Sequence, residues 1–254
     1  MSPASTSRRR LGVLGAGGRM GRRLVALATG AGCAVTAEVR ATGPALDGEL
    51  AGRVDALVDF TVKAQVARTA AFCEAHRLPL VMGTTGLDAD DHAALDAVAR
   101  VAPVVWAPNF SVGVNALIEL VAVAAEMLRE GWDVELVEAH HRHKVDAPSG
   151  TARALALAAA RVRGWDLEAV ARHGREGLVG PRPGDELGIH AVRGGSVVGD
   201  HHLHFLAEGE EVTLSHRAAD RDIFARGALR AASWVLAPGR APGRYTMGDV
   251  LRTS

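Results

Sequence analysis

Between residues 11 and 110 short apolar runs alternate with segments of helix length, and this rhythm limits the chain to an α/β fold. Residues 11–14 read as a first strand, 33–39 as a second and 54–60 as a third, with two more at 80–82 and 104–106. Helices are expected from the glycine-rich turn to about Thr29, over 64–75 and over 89–99. Strands separated by helices join through right-handed crossovers into a mostly parallel sheet. With 254 residues and 48% hydrophobic content, the chain has material for one large domain or two smaller ones, each with a core.

The turn after the first strand, Gly15-Ala16-Gly17-Gly18-Arg19-Met20-Gly21, lies where such folds hold a dinucleotide pyrophosphate. Glycine lets backbone approach the phosphates, and the next helix offers unpaired N–H groups. The spacing reads best as Gly15-x-x-Gly18-x-x-Gly21, with a plain tight turn as the alternative. The second strand ends about 20 residues on, where ribose recognition is expected. Two further loops fall at the carboxyl ends of expected strands, the edge on which open parallel sheets bind ligands. Gly83, Thr84 and Thr85 in one, and Ala107, Pro108, Asn109 and Phe110 in the other, are the expected walls of a nicotinamide site. Simple turns are the alternative there too.

The run from Glu138 to Thr151 carries three histidines, Lys144 and a Pro-Ser-Gly-Thr helix start within fourteen residues. Residues 132–139 read as a strand and 151–163 as an Ala/Leu-rich helix, so the histidines are expected on a strand-to-helix connection. Imidazole changes charge near neutral pH, so His140 or His141 suits proton delivery, while Lys144 supplies a fixed charge for a carboxylate. Backbone N–H groups at Gly150 and Thr151, behind a Ser149 N-cap, form an anion site without side chains. These features together suit a small carboxylate substrate that must be protonated. The alternatives are a solvated His-rich turn, or zinc held by His140, His141 and His143 with His201, His202 and His204. Neighbouring strand positions alternate sides, and neither cluster has the i, i+4 spacing of a helical zinc site.

Other classes are less compatible. Twenty-nine basic and 29 acidic residues give no electrostatic footprint for nucleic acid or membrane. Cys33 and Cys73 are too few for a disulfide framework, which points to a cytoplasmic protein. Residues 1–10 are rich in Ser, Pro and Arg, lack the apolar stretch of a secretory signal, and read as a short disordered tail. The most apolar stretch, residues 112–127, is interrupted by Asn115 and Glu119 and does not read as a membrane span.

The glycine turn, Asp59-Phe60-Thr61, Gly83-Thr84-Thr85-Gly86, the segment from Asn109 to Asn115 and the segment from Glu138 to Ala152 stand in one order. In that order the chain resembles the 4-hydroxy-tetrahydrodipicolinate reductases, the dihydrodipicolinate reductases of lysine and diaminopimelate biosynthesis. The resemblance spans the chain beyond its tail, and His-His-Arg-His-Lys is its most specific block. It implies a Rossmann-like dinucleotide-binding domain of residues 8–110 plus 221–254, and an α+β domain of residues 111–220 for substrate binding and tetramer assembly. Residues 1–7 would form the tail, and 218–234 would return to the first domain. The implied reaction reduces the cyclic unsaturated imine from 4-hydroxy-tetrahydrodipicolinate, a small dicarboxylate, with hydride from a nicotinamide.

Position by position, the resemblance makes His140 the proton donor to the ring carbon beside the one receiving hydride. Lys144 becomes the second catalytic position, and His141, Gly150 and Thr151 the substrate binders. Gly15, Ala16, Gly17, Gly18, Arg19 and Met20, with Gly83–Thr85 and Ala107–Phe110, become the cofactor segments. One position departs: where relatives often carry an acid for the adenosine ribose hydroxyls, this chain has Arg40, with Glu38 two residues earlier. An arginine there accommodates a 2′-phosphate, so NADPH is the expected cofactor, with NADH also usable. Two other classes make different predictions. A silent NADPH-binding sensor would bind cofactor without turnover, and a His-cluster metallohydrolase would hold stoichiometric zinc.

Overall fold

The structure is a computed structural model that describes residues 8–40 and 46–252. The expected tail at 1–7 lies outside the described residues. The chain divides into two compact units, one running through Val112 and resuming at Asp222, the other Gly113–Arg221.

The first unit opens with β1 (Arg9–Leu14), α1 (Arg19–Ala28) and β2 (Cys33–Val39). A short helix not anticipated from periodicity, α2 (Gly48–Arg53), follows; the Asp47 side chain starts it by accepting the Leu50 N–H at 3.0 Å. Then come β3 (Ala56–Asp59), α3 (Val66–His76), β4 (Leu80–Met82), α4 (Ala89–Ala99) and β5 (Pro103–Trp106). Asp88 and Asp91 close a reciprocal capping box at the start of α4.

The second unit carries most of α5 (Val112–Met127), then β6 (Asp133–His140), α6 (Gly150–Arg163), α7 (Leu167–Val170), β7 (Ala171–Arg172), β8 (Leu187–Arg193), β9 (Gly199–Ala207) and β10 (Glu210–Ala218). Its sheet has the order β10-β9-β6-β8-β7, with β6 parallel to β8 and antiparallel to β9. Leu117 and Val121 of α5, and Leu155, Ala156 and Ala159 of α6, pack over Val134, Leu136, Leu203 and Phe205 on one face. Alanine lets α6 come close to the sheet, and Gly164 ends it in the left-handed conformation. Among the described residues no helix is long and apolar enough to cross a membrane.

The chain returns to the first unit with α8 (Asp222–Val235), β11 (Gly243–Tyr245) and α9 (Met247–Arg252). The completed sheet is parallel throughout, in the order β11-β5-β4-β3-β1-β2. Its central strands are apolar on both faces because helices cover both, as all-parallel sheets require. Val13, Val58, Val81 and Val105 face α1, α8 and α9, while Leu57, Leu80, Met82 and Val104 face α2, α3 and α4. The chain runs from β1 outward to β2 and then back across β1 to β3. The carboxyl ends of β1 and β3 therefore flank a topological switch point.

Candidate active site

At the carboxyl edge of the parallel sheet, three glycines let loops meet at distances no other residue allows. Gly15 has φ +79°, and a Cβ there would fall 2.7 Å from the Phe60 carbonyl oxygen. A Cβ on Gly21 would lie 2.1 Å from the Gly15 oxygen, and one on Gly83 would lie 2.3 Å from the Phe60 ring. Phe60 also tilts against Phe110, with centroids 5.6 Å apart. Phe60 is therefore the common wall behind the loops after β1, β4 and β5. The Gly15 and Ala16 N–H groups donate to Val39 O at 2.9 and 3.2 Å, and Gly18 N–H to Gly15 O at 2.8 Å. Gly18 is the N-cap of α1 and has no side chain to cap it, which leaves first-turn N–H groups for an anion. Backbone-lined, with its helix end uncapped, this cradle fits the pyrophosphate of a dinucleotide.

The remaining sequence-picked positions of this unit surround that cradle. Arg40 runs past Gly17, 3.8 Å from where a Cβ would stand, and its guanidinium donates to Glu38 Oε2 at 2.6 Å. The two residues proposed for ribose recognition are thus paired with each other, in an exposed setting. Arg19 is exposed and Met20 half-buried. Thr84 is buried, Thr85 and Pro108 are exposed, and Ala107 N–H donates to Met82 O at 3.3 Å. Asn109 Oδ1 accepts the Ser111 N–H at 2.8 Å.

Sequence reasoning assigned no role to Asp59, which proves central to this edge. Its fully buried carboxylate accepts the Thr61 N–H and hydroxyl at 2.8 and 2.6 Å, the Thr69 hydroxyl at 2.7 Å and the Thr84 hydroxyl at 3.4 Å. It ties the loops after β3 and β4 to α3. An acid ending an otherwise apolar strand was the available signal.

In the second unit, β6 alternates so that Val134, Leu136, Glu138 and His140 share the buried face. His140 is the last residue of this strand, opposite Arg193 of β8, rather than part of the loop. His140 Nδ1 lies 2.6 Å from Glu138 Oε2. The Glu138 carboxylate is fully buried and also accepts both Arg193 Nη groups, at 2.8 and 2.7 Å, and the Ser149 N–H at 3.0 Å. Burial pushes its pKa upward, but the hydrogen bonds from Arg193, His140 and Ser149 outweigh that and hold it below the usual carboxylate range. Arg193 further donates to the Asp146 carbonyl at 2.7 Å, fastening the loop that carries Lys144. Glu138 was visible in the motif without a role; Arg193, the last residue of β8, carried no sequence signal.

Ser149 caps α6, its hydroxyl accepting the Ala152 N–H at 3.1 Å, and His201 Nε2 lies 3.1 Å from the same oxygen. His201 stands edge-on to His140, with centroids 5.1 Å apart. Burial, with a smaller contribution from His140, pushes His201 down to about 4, so it is neutral near pH 7. Lys144 Nζ pairs with Asp146 Oδ1 at 2.8 Å, and His141 Nε2 lies 3.4 Å from Arg221 Nη2. Gly150 and Thr151 open α6. The six histidines considered for zinc diverge: His201 faces the core, while His202 and His204 bond Ser215 and Thr213 on the opposite face. Among the described residues no group of three or more His, Cys, Asp and Glu has metal-binding geometry.

A dinucleotide cradle on a parallel sheet, joined in one chain to a buried carboxylate–histidine pair at a helix N-terminus, defines a nicotinamide-dependent oxidoreductase. Residues 9–110 match the family described as "Dihydrodipicolinate reductase, N-terminus", and residues 113–251 match "Dihydrodipicolinate reductase, C-terminus". The chain belongs to the dihydrodipicolinate reductase family. It is 48% identical to the 4-hydroxy-tetrahydrodipicolinate reductase of Thiobacillus denitrificans, over 95% of this chain and 98% of that one. It is 46% identical to the enzyme of the same name from Parvibaculum lavamentivorans, over 94% and 96%. A solved structure described as dipicolinate-bound dihydrodipicolinate reductase from Paenisporosarcina sp. TG-14 has the same fold, with TM-score 0.76 at 24% identity, covering 94% of this chain and 97% of that one.

Proposed function

We propose that this chain reduces 4-hydroxy-tetrahydrodipicolinate, through the dihydrodipicolinate formed on loss of water, to tetrahydrodipicolinate in lysine and diaminopimelate biosynthesis. Bound NADPH or NADH supplies the hydride to one ring carbon. His140 Nε2 delivers the proton to the neighbouring ring carbon, so that hydride and proton together saturate the carbon–carbon bond conjugated to the imine. The Lys144 ammonium takes one substrate carboxylate by giving up Asp146 for it. The Gly150 and Thr151 N–H groups at the start of α6 bind a carboxylate as a helix end binds any anion, and His141 flanks it. The observation that carries this reading is the buried Glu138–His140 pair in the same short segment as Lys144 and the capped helix start.

NADPH is the preferred cofactor. The exposed Arg40–Glu38 pair is worth less than about 1 kcal/mol, whereas a charge-assisted bond to a ribose 2′-phosphate contributes about 1.5 to 3 kcal/mol, so Arg40 turns from Glu38 to the phosphate. The unit from Gly113 to Arg221 binds substrate and assembles a cytoplasmic homotetramer without nucleic acid. Leu178, Val179 and Val192, all exposed on this unit, support an assembly surface.

The decisive experiment follows nicotinamide absorbance with freshly made synthase product as substrate. Oxidation of NADPH that needs this substrate and persists with chelator is the expected result. Folded, NADPH-binding protein that fails to turn over would overturn the reading in favour of a silent binder.

A further inference from the structure

We infer that Glu138 is a positioning residue for the proton transfer: locked by Arg193 and the Ser149 N–H, it holds the His140 ring with Nδ1 turned inward, leaving Nε2 as the nitrogen that gives up the proton. This inference rests on the assignment of His140 as the proton donor and adds how that residue is oriented and charged.

The geometry permits one arrangement of the ring. A carboxylate that already accepts Arg193 and Ser149 N–H bonds has no hydrogen to give, so His140 Nδ1, 2.6 Å away, must be the donor. The other ring nitrogen is kept clear by a missing side chain. A Cβ on Gly199 would stand 3.0 Å from His140 Nε2 and 3.4 Å from Cδ2, closer than the ring tolerates without shifting. Gly199 has no left-handed backbone that would otherwise call for glycine. The opening beside Nε2 is therefore a feature of the site rather than a backbone requirement at the start of β9.

The charges facing the pair favour the same role. Arg193 from β8 and Glu138 form a bidentate pair, so the carboxylate is anchored before it meets the imidazole. His201 from β9 lies edge-on and neutral, adding no competing positive charge near neutral pH. Lys144 in the following loop is answered by Asp146, whose carbonyl Arg193 also holds. When His140 becomes an imidazolium, Glu138 is the buried anion in contact with it. The arrangement parallels that of buried carboxylates that orient a catalytic histidine without themselves taking the proton.

The test compares Glu138→Gln, His140→Gln and the parent enzyme. Gln keeps the shape of Glu138 but removes its charge. The expected result for Glu138→Gln is a kcat lower by roughly 10- to 1000-fold, with the alkaline limb of its pH profile moved about one unit or more toward acid and NADPH KM unchanged. Parental kcat and an unmoved limb in Glu138→Gln, alongside an impaired His140→Gln, would overturn this inference alone. Parental kcat in His140→Gln would instead remove the proton-donor assignment on which it rests. Should Glu138→Gln fail to fold, nitrogen-15 histidine NMR of the parent decides. The resonance missing from His140→Gln is expected to be a strongly downfield Nδ1-bound proton throughout pH 6 to 8, and a bare Nδ1 in that range would refute the assignment.

Discussion

The chemistry at single residues turns on which of two partners a charged side chain keeps. Lys144 holds the exposed Asp146 carboxylate, a surface pair worth at most about 1 kcal/mol, which the substrate carboxylate of the proposed reaction would have to displace. Lys144→Ala is expected to raise substrate KM and lower kcat together, as for a contact that holds the substrate in the ground state and strengthens in the transition state. His140→Ala removes the proposed acid and is expected to lower kcat by roughly 10²- to 10⁴-fold with substrate KM little changed, as single-turnover and steady-state kinetics will read. Arg40→Asp sets two carboxylates side by side with Glu38. NADPH affinity should fall by roughly 10- to 150-fold in a fluorescence titration while NADH affinity is kept or improved. An unchanged NADPH to NADH ratio would return the ribose to Glu38 and leave Arg40 in solvent. Both residues were legible from the end of the second strand, but their mutual pairing depends on side-chain reach that sequence does not encode.

Among the elements, the two glycines of the first turn make opposite demands. A Cβ on Gly21 meets the Gly15 oxygen and the Ala16 Cα at 2.1 and 2.6 Å, both backbone atoms that cannot swing aside. Gly21→Ala is expected to lower Tm and abolish NADPH binding together. A Cβ on Gly17 meets only the aliphatic part of Arg40, at 3.8 Å. Gly17→Ala should therefore keep Tm within about a degree, as surface changes do, and, with the pyrophosphate in the proposed cradle, weaken NADPH alone. Calorimetry and titration on the two variants separate the cases. The glycine spacing announced a tight strand-to-helix turn, but which glycine faces backbone and which faces only the Arg40 side chain emerged only from the packing of β1, α1 and β3. Likewise, period-2 alternation places Glu138 and His140 on one face of β6. A strand expected to end at residue 139 puts His140 in the connection, so the pairing is not legible from sequence.

For the whole molecule, two sets of groups make stability depend on pH in separate windows. His201 titrates at about 4 when folded against 6.5 when unfolded, so the unfolded chain takes up a proton that the folded one refuses. Stability is fully present above pH 6.5 and is lost between there and about pH 4, by on the order of 3 kcal/mol. Burial raises the Glu135 pKa, but hydrogen bonds from Arg175, His190 and Arg182 hold it at about 2, so its contribution is lost lower, between pH 4.5 and about 2. Thermal scans of parent and His201→Gln should show the parent alone losing Tm steeply between pH 6.5 and 4. A parallel decline in both would assign that acid sensitivity to other groups. In solution, light scattering is expected to give four copies of the 26.5 kDa chain, and a monomer at micromolar concentration would contradict the tetramer.

Local sequence determined the parallel α/β sheet, the glycine turn at its carboxyl edge and the helix start at Ser149, because apolar periodicity, backbone freedom and capping act over a few residues. Two family domains follow from motifs kept in order along the chain. Tertiary structure alone decided that Asp59 gathers three threonine hydroxyls at the sheet edge. It also brought Arg193, 55 residues away in sequence, to Glu138, and left space beside His140 at Gly199. A buried carboxylate is stable only when distant donors meet it in three dimensions, and which donors arrive is set by strand register and crossover, not by neighbours in the chain.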